Sequence, residues 1–339
     1  MSNFPDYKLS IGTPHTAEPY LSPIPRKKLK TLMQRQNKIP LRDYSLWIIL
    51  LLITGGAVTL AYNAGSWLVI PAMLVYGILY GGAAHSRIHE CGHGTPFRTL
   101  WLNTIFHHMA SFMCLKNLHA WKWSHAKHHT HTIIVAQDPE IAFPRPPNLL
   151  AHASNLLNIA AGVAELRRTI NHARGRLSDD EKQYIPADEA PKVFKLARIH
   201  LALLGGVVAV SVGAQSWLPL LLVGLPTFYG SWAHHVLSAT QHAGLAENAG
   251  DYRINTRTIY LNPVVSFIYS NMNYHIEHHM YPLVPYYSLP ALHEELKADL
   301  PRTYNGLGDA YREMLPALWR QRKDPDYFVS RAVPGAAQG

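Results

Sequence analysis

The sequence predicts an all-α integral membrane protein: four transmembrane helices in two hairpins, with a cytoplasmic helical cap holding a two-metal site. Three observations predict this. Residues 44 to 90 and 196 to 240 are nearly free of charge, although 16% of the 339 residues are charged. Lys and Arg are unevenly placed around those blocks. The 21 histidines include the groups His89-x-x-x-His93, His125-x-x-His128-His129 and His275-x-x-His278-His279. Random placement at that frequency gives about 0.08 copies of the H-x-x-H-H pattern, so two copies mark a site.

The chain divides into a cytoplasmic N-terminal segment (1–43), a membrane domain (44–300) and a C-terminal cytoplasmic segment (301–339). A spanning helix needs about 20 mostly apolar residues. Ser45 to Tyr62 is short but sufficient, and a second span follows after a turn of a few residues, together covering about 45–62 and 66–90. A second hairpin covers about 196–213 and 216–240, its Gly and Pro residues being tolerable in lipid-embedded helices. Between the hairpins, 100–118 reads as an interfacial or re-entrant helix, and 149–170 as an amphipathic one lying along the membrane. Residues 174–192 are charged and Pro-containing and read as a solvated linker. Residues 1–25 and 331–339 read as loose tails.

Orientation follows from the basic residues. Eight precede the first span (Lys8, Arg26, Lys27, Lys28, Lys30, Arg35, Lys38, Arg42), and the short hairpin turns near Asn63 and Gln215 carry none. The positive-inside rule then places the N-terminus, the 91–195 loop and the C-terminal segment in the cytoplasm, with all three histidine groups on one membrane face. Net charge is +9, which the membrane topology accommodates without a nucleic-acid partner. Cys91 and Cys114 are the only cysteines and form no disulfide framework. No apolar segment precedes residue 44, so a cleavable signal peptide is not expected.

Neutral imidazole is the commonest metal ligand, and histidines three or four apart on a helix share a face. Eight histidines in the three groups exceed the four ligands of one zinc ion, so two ions a few ångström apart use them better. Ligand type alone leaves iron, copper and zinc open. Isolated histidines at a membrane boundary are ordinarily amphipathic anchors, the reading given to His107, His108, His119, His131, His152, His172, His200, His234, His235 and His293. His85, one turn before His89, is ambiguous, and His242 just after the fourth span is better placed. Asp138 and Glu277 are the expected orienting carboxylates, with Glu90, Glu140 and Asn273 also near the groups. Trp121 and Trp123 are candidates to wall the cavity.

The succession His-Glu-Cys-Gly-His, then H-x-x-H-H, then a second H-x-x-H-H after two further spans resembles the membrane fatty-acid desaturase and hydroxylase superfamily. The likeness covers about residues 40 to 300. The segment Asn271-Met-Asn-Tyr-His-Ile-Glu-His-His-Met-Tyr-Pro is similar to a bacterial branch that includes a rhizopine-catabolism oxygenase, whose substrate need not be a fatty acid. Gln241-His242 matches an extra histidine that such enzymes place before the last box. The resemblance implies that His89, His93, His125, His128, His129, His242, His275, His278 and His279 hold two iron ions. It also implies O2 as co-substrate and an acyl or similar lipophilic substrate in the bilayer. The product is an alkene, or an alcohol if the enzyme is instead a hydroxylase; the desaturase reading is preferred. No His-Pro-Gly-Gly cytochrome b5 motif is present, so electrons are expected from a separate ferredoxin, rubredoxin or cytochrome b5 type protein. The host membrane, plasma membrane or endoplasmic reticulum, stays open.

Two rivals come from other classes. His89-Glu90-Cys91-Gly92-His93 is a literal H-E-x-x-H, the signature of a zinc protease with Glu90 as general base. That reading leaves most of the other histidines unexplained. A non-catalytic metal carrier predicts polar groups within the spans, which hold few.

Overall fold

A computed structural model describes residues 19–334. Among them the regular structure is helical, and the only β-pairing is four isolated bridges. Three helices are long and apolar enough to cross a membrane: Lys38–Asn63, Val69–His93 and Ala190–Gly213. At 1.5 Å per residue the first extends about 39 Å. It buries Tyr44, Trp47 and Val58 and leaves Leu52, Ile53 and Leu60 exposed.

Val69–His93 contains a π-helical stretch, Ile78–Gly82. Such a widened turn frees carbonyls from the α-helical ladder. The indole N–H of Trp47 donates to Leu79 O, within this stretch, at 2.8 Å. This bond joins the two arms of the first hairpin. The helix ends at Gly94, whose left-handed φ of 64° suits a residue without Cβ. Near that end Arg87 is buried, its guanidinium 4.6 Å from the Trp47 ring and donating to the Phe267 and Ile268 carbonyls. The first hairpin is thereby tied to the segment that leads into the last histidine group.

The fourth span departs from expectation. Instead of one helix over 216–240, the chain forms Leu218–Leu222, Pro226–Gly230 and Trp232–His242. Val223 is extended and Gly224 takes φ 96°, and Pro226 opens the next piece. The break lets Gly230 press against Gly77, where an added Cβ would lie 1.9 Å from the Gly77 carbonyl oxygen. Small residues permit this close helix approach.

The expected interfacial helix over 100–118 stops earlier, at Met113. Leu115 turns with φ 55°, and Asn117 then caps Leu118–Thr130 by accepting from the His119 and Ala120 N–H groups. The amphipathic stretch is two helices, Leu149–Leu157 and Ile159–Ala173, bent by 76°. This pair is itself apolar and long enough to be a broken span or a re-entrant loop.

The linker and tails are more ordered than predicted. Within 174–192, Glu181 and Ile185 are buried, and Glu181 sits 2.9 Å from His172 Nε2. Tyr20 and Ser22 both donate to Asp299, and Arg331 donates to the Thr256 carbonyl at 2.6 Å. The rest of the predicted tails, 1–18 with Lys8 and 335–339, lies outside the described residues. Helix Leu307–Gln321 packs Met314 and Leu318 on Ala239 and Ala243. The C-terminal segment therefore braces the helix that ends at His242.

Candidate metal centre

Four helix ends bring the histidines together. His89 and His93 close Val69–His93, and His125, His128 and His129 occupy the last turns of Leu118–Thr130. His242 ends Trp232–His242, and His275, His278 and His279 belong to the short helix His275–Met280. Their ring nitrogens form two groups, each with ligand atoms within 4.8 Å of one another. One is His89, His93, His125, His129 and His278; the other is His128, His242, His275 and His279.

The two H-x-x-H-H boxes are interleaved, for a geometric reason. At 100° per residue, the first and last histidines of a box lie about 40° apart, and the middle one is turned away by about 60° on the other side. His125 and His129 thus serve one group while His128 crosses to the other. His275 and His279 mirror them, and His278 crosses back.

Within the groups, Nε2 atoms face each other: His93 to His125 at 3.1 Å, His129 to His125 at 3.0 Å, and His278 to His129 at 3.1 Å. In the second group His242 and His279 lie 3.2 and 3.1 Å from His275 Nε2. The opposite ring nitrogens meet acceptors. His125 Nδ1 donates to Glu140 at 3.0 Å, His128 Nδ1 to Asp138 at 2.8 Å, and His242 Nδ1 to the Asn255 carbonyl at 2.9 Å. Thr132 donates its hydroxyl to the His128 carbonyl and so accepts from His279 Nδ1 at 3.1 Å.

A neutral imidazole has one N–H, so a ring that donates through Nδ1 presents a bare lone pair at Nε2. His242 and His279 both point such lone pairs at His275, which has at most one hydrogen to offer. His89 Nε2 is buried with no partner. Convergent lone pairs at about 3 Å repel unless a cation lies among them, and the donor set therefore fits bound metal. Nine imidazoles with no thiolate suit iron, copper or zinc. Burial, then crowding by neighbouring imidazoles, holds His125, His129, His275, His278 and His279 well below the usual histidine value, which keeps them neutral. His128 differs. Burial lowers it, but the Asp138 carboxylate outweighs burial and its value is raised.

The structure directs other predicted residues elsewhere. Glu277 is fully buried, but it accepts from Thr258 at 2.6 Å and contacts His293 Nδ1, and no clustered imidazole bonds to it. His293, with His172 and His200, was expected as a boundary anchor, yet all three are buried. His85 and His234 stack on each other at 4.4 Å outside both groups. Trp121 stacks on His125 at 4.4 Å, and a Cβ at Gly92 would fall 2.4 Å from its ring, which accounts for the glycine in the first box. Trp123 packs instead with Ile185 and Val193. Glu90 is buried against His89 and Thr95, so it holds an imidazole in place and faces no substrate as a general base.

Sequence reasoning did not select Glu140, Thr132 or the Asn255 carbonyl as partners of the clustered rings. Glu140 had a signal: the run Asp138-Pro139-Glu140 follows the second box closely enough to fold back on it. A cavity of about 460 Å³ adjoins the cluster and is lined by His89, Trp121, His125, His128, His242 and His275 among others.

Comparison with known proteins identifies relatives of this chain. The fatty acid desaturase family profile matches residues 64–310. An sn-1 acyl-lipid omega-3 desaturase (ferredoxin) of Synechocystis sp. is 24% identical over 98% of this chain and 96% of its own. An acyl-lipid (8-3)-desaturase of Thraustochytrium sp. is 26% identical over 67% of this chain and 57% of its own length. A fatty acid conjugase of Calendula officinalis is 22% identical over 86% and 83% respectively. The histidine boxes, the helices that carry them and a match over most of the sequence lead to one conclusion: this chain belongs to the fatty acid desaturase family.

Proposed function

We propose that the nine clustered histidines hold two iron ions at the cytoplasmic face of a multi-pass membrane domain spanning about residues 44–300. The protein is an oxidoreductase of the desaturase type, acting on an acyl chain or similar lipophilic substrate. When bound, the iron pair supplies O2-dependent, two-electron oxidation of an unactivated C–H bond. The chain's own residues prepare that site. Asp138, Glu140, Thr132 and the Asn255 carbonyl fix the tautomer and direction of four imidazoles. Trp121 covers the His125 ring and excludes water from that side. The cavity beside the rings positions the reacting carbon, and its shape decides which bond is addressed. Electrons come from a separate carrier, and the ferredoxin in the name of the Synechocystis relative favours that type.

In the bilayer, the hairpin Lys38–Asn63 with Val69–His93 is followed by Ala190–Gly213 and the broken segment 216–242, giving the two-hairpin arrangement. The observation that carries this function is the convergence of nine ring nitrogens from four helix ends into two adjoining groups. The test is metal analysis and product analysis together. Purified protein is expected to hold roughly two irons per chain, and His128→Ala or His278→Ala to lose iron and turnover. In a host of known lipid content, expression should yield products that have lost two hydrogens. A gain of one oxygen atom would establish hydroxylation instead, and full activity in either variant would refute the ligand assignment.

A further inference from the structure

The cavity beside the histidine cluster has a lining that a purely hydrocarbon occupant would not need. Along one wall, helix Trp232–His242 turns His234, His235, Ser238 and Gln241 toward it, at helical spacing. His234 Nδ1 is buried there without a hydrogen-bond partner. A hydrocarbon lying against that wall would leave the buried His234 nitrogen unpartnered.

The cavity's cations differ in their surroundings. Arg168 is paired with Glu165 at 2.8 Å and lies 3.4 Å from Glu181, while Arg145 lies 3.2 Å from Glu247. Lys116 is half-buried, lines the same cavity, and makes no ion pair or side-chain hydrogen bond among the described residues. Cys114 and Glu140 line that cavity as well. Glu140 in turn holds His125 of the metal cluster, so an anion at Lys116 sits within the same cavity as the reacting centre.

We propose that Lys116 receives the ionised head of the substrate, and that this enzyme takes its acyl substrate as a free carboxylate rather than as a neutral glycerolipid ester. The inference rests on the desaturase-type reading and names the form of the substrate. An ester carbonyl leaves the ammonium without a counter-charge, whereas a carboxylate forms charge-assisted hydrogen bonds with it. His234 and Ser238 offer further polar contacts to the head. Ile88, Ile141, Phe143, Ala239 and Met272 supply an apolar remainder for a short chain. A cavity of about 460 Å³ is of the size that encloses such a molecule.

The test is thermal stabilisation of the iron-loaded, detergent-solubilised protein, which needs no turnover. The probes are octanoate, methyl octanoate, and vesicles of phosphatidylglycerol, whose phosphate is the other available source of an anion. Octanoate is expected to raise Tm in a saturable way and methyl octanoate to do so at least tenfold more weakly. Lys116→Gln should weaken octanoate binding by about tenfold, and Lys116→Arg should restore most of it. Unchanged Tm of both variants without probe establishes that they are folded. If Lys116→Gln is too unstable to purify, the octanoate against methyl octanoate comparison on the unaltered protein decides the matter. Equal binding of acid and ester, or a Lys116-dependent response to phosphatidylglycerol alone, overturns the proposal. Iron content and product identity are separate measurements, so the desaturase-type reading survives or fails independently.

Discussion

Asp138 shows how one side chain fixes both a ring and a loop. Its Oδ2 accepts from His128 Nδ1 and from the Ile133 N–H, each at 2.8 Å, while Oδ1 accepts from the Glu140 N–H at 2.8 Å. Burial alone would raise this carboxyl, but His128 outweighs it and holds it below its ordinary value. In Asp138→Asn one acceptor becomes an NH2 that faces a donor. We expect about ten- to a hundredfold loss of iron affinity or activity, measured by metal analysis and turnover. His293→Ala is the contrast. It leaves Glu277 buried with Thr258 and without its histidine, a change of the class that costs about 3–5 kcal/mol. Denaturation should register that loss while iron per folded chain stays near the unaltered value. The histidine boxes and Asp138 were legible because repeated spacing and nearness along the chain survive without coordinates. Glu277 was misjudged for a simple reason. Two residues after His275 it points about 200° round the helix, away from the rings that His275 and His279 present.

At the scale of elements, the helix contacts that hold the site depend on missing side chains. Gly230 meets Gly77, and an added Cβ at Gly81 would come within 2.9 Å of the Ser231 hydroxyl and 3.0 Å of its backbone N. These contacts fix the start of Trp232–His242, and hence the position of His242 at its end. Gly230→Ala is expected to separate the helices, lowering folded yield and Tm. Gly206→Ala lies within Ala190–Gly213, where nothing beyond the adjoining residues and the helix's own backbone comes within 4 Å of the new methyl. It should be neutral or raise stability by up to about 1 kcal/mol, as removal of a helix-interior glycine does. Thermal unfolding in detergent compares the two, and equal effects would remove the close-packing account. The three long apolar helices were legible from their apolar content alone. The broken course of residues 216–242 was not, because Pro219, Gly224 and Pro226 are compatible with a continuous lipid-embedded helix. Tertiary packing against the Val69–His93 helix decides which form is taken.

For the whole molecule, the site exists only if the loop between the hairpins and the segment after residue 242 share one side of the membrane. Ties between distant segments are consistent with this. Tyr20 and Ser22 reach Asp299, Arg253 pairs with Asp299 at 3.0 Å, and Tyr252 donates to the His129 carbonyl. Charge distribution is the sequence signal for the side, since the basic residues flank the apolar segments and avoid the short turns. The bracing of the site by both ends of the chain was not legible, because docking of polar segments such as Ser22 and Arg331 leaves no periodic pattern. Single cysteines offer a direct check. Cys91 and Cys114 are both buried, so background reaction with an impermeant thiol reagent should be low. Lys182, Gln215 and Arg322 are exposed. In sealed, oriented vesicles Lys182→Cys and Arg322→Cys are expected to label from the same side, and Gln215→Cys from the opposite one. Labelling of the first two from different sides would separate His125, His128 and His129 from His275, His278 and His279 by a bilayer, and no metal pair could join them.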